Sequence, residues 1–174
     1  MKKSALKQRR IVMPENLFRI KPVRSSIDLG ATVQLFNAYA SAVGVDLSYQ
    51  DFATELATLP GKYAAPAGEL LLARDNNGEP VGCVGLRPIK PDDCCEMKRL
   101  YVSPKARGLG LGIALIDEII GEAVRIGYSE MRLDTLPTMA EAIALYKKAG
   151  FIPIEPYYET PIEGTLFFAR ALAA

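Results

Sequence analysis

The sequence predicts a single mixed α/β domain, and three observations predict it. Strand-like and helix-like segments alternate in the order strand, two helices, three strands, helix, strand, helix, two strands. Residues 69–86 read as a hairpin turning at Asn76-Asn77-Gly78, where glycine can take positive φ. A glycine-rich turn, residues 108–112, separates a strand from the most clearly periodic helix of the chain. The 174 residues suit one domain, and a chain of that size buries on the order of 70% of its unfolded surface without staples.

The elements follow in order. Leu17 to Val23 reads as a first strand, with Pro22 marking an edge or an end. Ser25 or Ser26 can cap a helix with Leu29, Val33, Phe36 and Tyr39 or Ala40 on its apolar face. A second helix starts at Ser48, buries Phe52 and Leu56, and stops at Pro60-Gly61. Glu69 to Asp75 and Pro80 to Leu86 are the hairpin strands. Cys94 to Val102 is the next strand, broken by Ser103-Pro104. The long helix after the glycines sets Ile113, Ile116, Ile119 or Ile120, and Ala123 or Val124 against Asp117, Glu118, Glu122 and Arg125, and Gly127 ends it. Glu130 to Asp134 is a strand. Thr138 and Glu141 make a capping box for a helix carrying Met139, Ile143 and Tyr146, with Lys147, Lys148 and Gly150 at its end. Phe151 to Ile154 and Thr165 to Leu172 are two last strands.

Composition narrows the chemistry. Lys plus Arg is 21 and Asp plus Glu is 20, so net charge draws the chain to neither nucleic acid nor an anionic membrane. There is no His. That excludes Ser-His-Asp and Cys-His nucleophiles and imidazole metal sites. The three Cys include adjacent Cys94 and Cys95 but no C-x-x-C, so no zinc knuckle is expected and the setting is a reducing cytoplasm. Adjacent strand residues face opposite ways, and without His nothing obvious makes a thiolate, so inert thiols are expected rather than an acyl-cysteine. No run of about 18 apolar residues could cross a membrane. Residues 1–16, with Lys2, Lys3, Lys7, Arg9 and Arg10, read as a solvated basic arm preceding a domain at 17–174.

The glycine segment is an anion site by its physics. Free N–H groups at the helix start and the positive dipole end favour a phosphate, the glycines allow close approach, and Arg107 adds charge. A Walker loop needs G-K-[ST], which is absent. The G-x-G-x-G spacing misplaces the third glycine of a dinucleotide fingerprint, although Asp134 follows at about 20 residues, where a ribose-binding acid would stand.

Arg107, Gly110 and Gly112, with Gly108 between, resemble the acetyl-CoA-binding motif [RQ]-x-x-G-x-[GA] of the GNAT superfamily. Residues 96–104 resemble that family's central strand and turn, and residues 142–151 its A-x-x-L-Y-x-x-x-G-F segment. The resemblance implies a mostly antiparallel central sheet flanked by helices. It implies an N-acetyltransferase with acetyl-CoA as cofactor, its pyrophosphate on residues 107–112 (Arg107, Gly108, Leu109, Gly110, Leu111, Gly112) and its pantetheine arm along Leu100, Tyr101 and Val102. By resemblance Glu96 is the general base, Tyr146 the general acid facing the thiol, and the backbone N–H near Leu100 the oxyanion donor. Met139 stands where many members carry Asn, leaving Thr138 or Thr135 to supply the polar contact. The partner is a small-molecule, peptide or protein amine, with a homodimer left open, and with no nucleic acid or membrane. Glu96, Glu155, Glu159 and Glu163 suggest an acidic surround and a cationic acceptor. Arg24, Tyr49, Phe52, Tyr157 and Tyr158 are candidate walls of its pocket. A non-catalytic CoA-binding sensor and a dinucleotide-binding module are the alternatives.

Overall fold

A computed structural model describes residues 16–173, so the expected arm lies outside the described residues except for Asn16. Among the described residues seven strands form one sheet: β1 (Phe18–Pro22), β2 (Glu69–Asp75), β3 (Pro80–Ile89), β4 (Cys94–Val102), β5 (Glu130–Thr135), β6 (Ile152–Pro153) and β7 (Leu166–Ala171), in the spatial order β1-β2-β3-β4-β5-β7-β6. Every neighbouring pair is antiparallel except β4 with β5. The sheet is therefore the mostly antiparallel α/β sheet expected, and Pro22 does lie on an edge strand.

Four helices flank it: α1 (Ser26–Val43), α2 (Phe52–Thr58), α3 (Leu111–Ile126) and α4 (Ala140–Lys148). Helix α3 buries Leu111, Leu115, Ile116, Ile119, Ile120 and Ala123 against Leu71, Val84, Leu86 and Met97. Each large side chain so buried contributes roughly 1.5–3 kcal/mol. Helix α1 covers the other face, where Leu35 and Phe36 meet Leu70, Leu72 and Tyr63.

Three local expectations are corrected. The buried stripe of α1 is Ala31, Thr32, Leu35 and Phe36, one step round from the predicted face. Apolar residues surround this helix, and Ile27 is 77% exposed, so periodicity alone could not choose a face. Ser25 does cap it, accepting from the Asp28 N–H at 3.1 Å. The helix expected from Ser48 is instead a 3₁₀ turn (Ser48–Gln50) broken by Asp51 at φ 55° before α2. Finally, the Thr138–Glu141 box does not form: Met139 is the N-cap of α4, with no side-chain cap.

Two features of β4 position the site. Its parallel pairing with β5 covers only Cys94–Glu96 against Glu130–Arg132. Beyond Glu96 the two strands part. Opposite β3, the register slips between Gly85↔Lys98 and Cys83↔Tyr101, so Arg99 and Leu100 together face Val84. That bulge puts Arg99 at φ 59°, a conformation costing a non-glycine residue of order 1–3 kcal/mol unless its surroundings enforce it.

Candidate active site

The glycine turn has the backbone geometry that an anion cradle needs. Gly108 and Gly110 have φ of +75° and +81°, in the left-handed region that glycine enters most easily. Gly110 is the N-cap of α3, with no side-chain hydrogen bond there, so the first N–H groups of the helix are uncapped by side chains. Gly112 serves packing: a Cβ there would lie 2.8 Å from Leu145 Cδ1, so its absence lets α3 approach α4. Arg107 is exposed and its Nε donates to the Val102 carbonyl at 3.2 Å, tying the turn to the end of β4. Leu109 is 49% exposed, whereas Leu111 is buried beneath the turn. The donor set fits a pyrophosphate.

Where β4 and β5 part there is a cavity of about 20 Å³, bounded by Tyr39, Lys98, Leu100, Asp134, Thr135 and Tyr146 among others. Tyr146 reaches it from α4, is buried, and stands edge-on to Phe151 at 6.1 Å. Burial raises its phenol pKa well above the ordinary value, so it holds its proton at neutral pH. Met139 also borders the cavity, and Thr135 donates to its sulfur at 3.7 Å. Of the two threonines expected to offer a polar group, Thr135 borders the cavity. Leu100 and Val102 pack on the α3 side, while Tyr101 packs on the α1 side, which leaves its backbone as its contribution to the gap.

Glu96 lies just where the strands begin to part. Its carboxylate is 2% exposed. Arg87 holds Oε1 from Nε at 2.8 Å and from the NH2 group at 2.7 Å, and the Tyr157 hydroxyl donates to Oε2 at 2.6 Å. The carboxylate thus faces the Tyr157 hydroxyl. Burial and then the charge of Glu96 push the Tyr157 phenol far up. Beside it, Tyr158 donates to Asp134 Oδ2 at 3.0 Å, and both rings pack on Phe167 at 5.2 Å.

The sequence reading missed a charged network on this same side. Lys98 Nζ donates to Asp134 Oδ1 at 3.1 Å and to Gln50 Oε1 at 3.2 Å. Arg99 donates to the same Gln50 oxygen at 2.9 Å and to Glu55 Oε2 at 2.8 Å, and lies over the rings of Tyr39 and Phe52 at 5.5 and 5.0 Å. Burial opposes its charge, but the Glu55 hydrogen bond and charge more than offset that and hold its pKa above the ordinary value. These contacts clamp the bulge. The available signal was Lys98-Arg99, close after Glu96, within an inner strand.

Of the proposed pocket walls, Tyr49, Phe52, Tyr157 and Tyr158 join this cluster. Arg24 does not: it pairs with buried Glu69 at 2.6 Å beside a separate cavity of about 310 Å³. Glu155, Glu159 and Glu163 are exposed. The acidic surround is replaced by a balanced buried set, in which Arg87, Lys98 and Arg99 meet Glu96, Asp134 and Glu55. Cys83, Cys94 and Cys95 are free and buried, and burial pushes the Cys95 thiol up to about 12. No His/Cys/Asp/Glu cluster suited to a metal occurs among the described residues.

Buried phenols have a consequence for stability. Burial raises the pKa of Tyr63, Tyr146, Tyr157 and Tyr158. In the unfolded chain they ionise near pH 10, while folded they keep their protons. Their contribution is therefore complete below about pH 10 and is lost as the pH rises beyond it. The urea midpoint should fall as the pH rises from about 10 to about 11, and a constant midpoint would contradict this.

Residues 32–151 match the family model described as the acetyltransferase (GNAT) family. An uncharacterised N-acetyltransferase of Schizosaccharomyces pombe is 43% identical over 157 residues, covering 90% of this chain and 96% of that one. A GNAT-family acetyltransferase structure from Staphylococcus aureus superposes with a TM-score of 0.75 at 20% identity, covering 90% of this chain and 99% of that one. A Salmonella typhimurium structure containing its cofactor acetyl-CoA gives 0.65 at 22% identity, covering 91% and 95%. Both structures share this fold.

Proposed function

The chain belongs to the GNAT family of acetyltransferases, and we propose that it moves an acetyl group from acetyl-CoA to a primary amine by direct attack. The observation that carries this reading is the juxtaposition of the uncapped α3 start with a β4–β5 gap into which Tyr146 points. In this reading Arg107 and the 108–112 backbone hold the pyrophosphate, and the backbone of Leu100, Tyr101 and Val102 pairs with the pantetheine amides. The cytoplasm, where free thiols persist, is the proposed location. No described helix is long and apolar enough to cross a membrane.

The amine nitrogen attacks the thioester carbon, a C–N bond forms and the C–S bond breaks. The Leu100 N–H stabilises the oxyanion. Tyr146 gives its proton to the departing thiolate, and the proton that the nitrogen sheds as the amide forms restores it. The attacking ammonium must lose a proton first. Glu96 takes it through Tyr157: the phenol oxygen accepts from nitrogen while its own proton passes to Oε2 across 2.6 Å.

The test is amine-dependent release of CoA thiol. A sensor that only binds acetyl-CoA gives none. Glu96→Gln and Tyr157→Phe should each lower kcat by about tenfold to a hundredfold. Because they act in series, the double variant should be no slower than the slower single one. Effects that multiply would overturn the relay.

A further inference from the structure

We infer that the acceptor is an α-amino acid with a free carboxylate, recognised by Lys98 and Asp134. This rests on the acetyltransferase reading and adds the class of amine. The ion pair borders the same small cavity as Leu100 and Tyr146, at the gap where the proposed chemistry brings the amine to the thioester. The two side chains are only 5% and 10% exposed. A buried ion pair is a weak source of stability, because desolvation offsets much of its attraction and apolar replacements often do as well. Its position at the reacting space is what a recognition role explains.

Hydrogen-bond capacity supports it. Lys98 has three N–H donors, and Asp134 and Gln50 use two of them. The carboxylate of Asp134 can accept about four hydrogen bonds and receives two, from Lys98 and Tyr158. One positive donor and one negative acceptor, 3.1 Å apart, thus retain capacity on the same wall. An α-amino acid carries its ammonium and carboxylate on a single carbon. Laid antiparallel across this pair, it places ammonium on Asp134 and carboxylate on Lys98, with no net charge left over. Arg99 cannot substitute for Lys98, since Glu55 and Gln50 engage its guanidinium and two rings cover it. A simple amine would leave the Lys98 donor unmatched, and a peptide N-terminus would set a neutral amide against it.

The experiment compares, by thiol release from acetyl-CoA, the twenty amino acids with their carboxamides and their decarboxylated amines. The wild-type protein should favour the acids over both by on the order of 30-fold in kcat/KM, the scale of one hydrogen bond to a charged group. Lys98→Met should collapse that ratio to within about threefold of unity, and Lys98→Arg should retain most of it. A merely structural Lys98 would lower all three series together and leave the ratio intact. The wild-type ratio decides the matter even if Lys98→Met fails to fold. Amides or decarboxylated amines turned over as well as the acids overturn this inference alone. Acetyl-CoA binding with no thiol release from any of the three series also overturns this inference, and the transferase reading falls with it only if peptide amines release no thiol either.

Discussion

Gly110→Asp is expected to abolish stabilisation of this protein by acetyl-CoA while leaving it folded. At 100 times its dissociation constant a ligand stabilises the native state by about 2.7 kcal/mol, which a melting curve resolves easily. Gly110 sits at φ +81° at the N-cap of α3, and a Cβ added there meets nothing within 4 Å. The protein itself therefore has room for the new side chain. The left-handed backbone imposes a strain of roughly 1–2 kcal/mol, and Asp tolerates that region better than most residues. Against the ligand, the carboxylate would stand at the helix start and repel a pyrophosphate. The melting temperature without ligand should fall modestly, and the acetyl-CoA-dependent rise should vanish. A rise as large as that of the wild type would show that acetyl-CoA binds elsewhere.

Tyr146→Phe should lower kcat by on the order of 10²- to 10⁴-fold, the usual contribution of a general acid, with little change in acetyl-CoA affinity. The ring is buried and packs edge-on against Phe151 at 6.1 Å, contacts that Phe preserves. Only the proton and its hydrogen bond are removed. Because burial raises the phenol pKa, the wild-type residue is protonated throughout the physiological range. A group acting mainly in the transition state shows its loss in kcat. Circular dichroism and the melting temperature establish that the variant is folded. Turnover within about threefold of wild type, worth only ~0.65 kcal/mol, would make Tyr146 a packing residue.

Element order and the backbone of the glycine turn were legible in the sequence because both are local. Gly78, Gly110 and Gly127 mark a turn, a helix start and a helix end, and each adopts positive φ there. Helix α3 has a single strong apolar face, so its packing could be read directly. Helix α1 has apolar residues on several sides, and tertiary contacts with Leu70 and Leu72 chose among them. The capping box at Thr138 failed because a four-residue pattern carries no information about the incoming chain, which brings Met139 to the cap. The polar half of the site was least legible. Tyr157 meets Glu96 across 61 residues, and Arg99 meets Glu55 across 44. Such pairings leave no periodic trace. Their one local sign, a Lys-Arg pair inside a buried strand, identifies neither partner nor role.

The bulge links these two halves. Without Arg99 at positive φ, Lys98 and Arg99 would project to opposite faces of the sheet. With it, both reach the same Gln50 oxygen on the α1 side. The same irregularity interrupts the pairing with β3 at Leu100, whose N–H is proposed to meet the oxyanion, before it resumes at Tyr101. One backbone feature therefore shapes both the reacting centre and the charged wall beside it.

The most direct test of this account is a crystal structure of the protein with acetyl-CoA. The account predicts the pyrophosphate on the N–H groups at the start of α3 and the pantetheine arm between β4 and β5 along residues 100–102. It also predicts the thioester sulfur within hydrogen-bond reach of the Tyr146 hydroxyl. A pyrophosphate bound away from residues 107–112, or a sulfur out of reach of Tyr146, would contradict it.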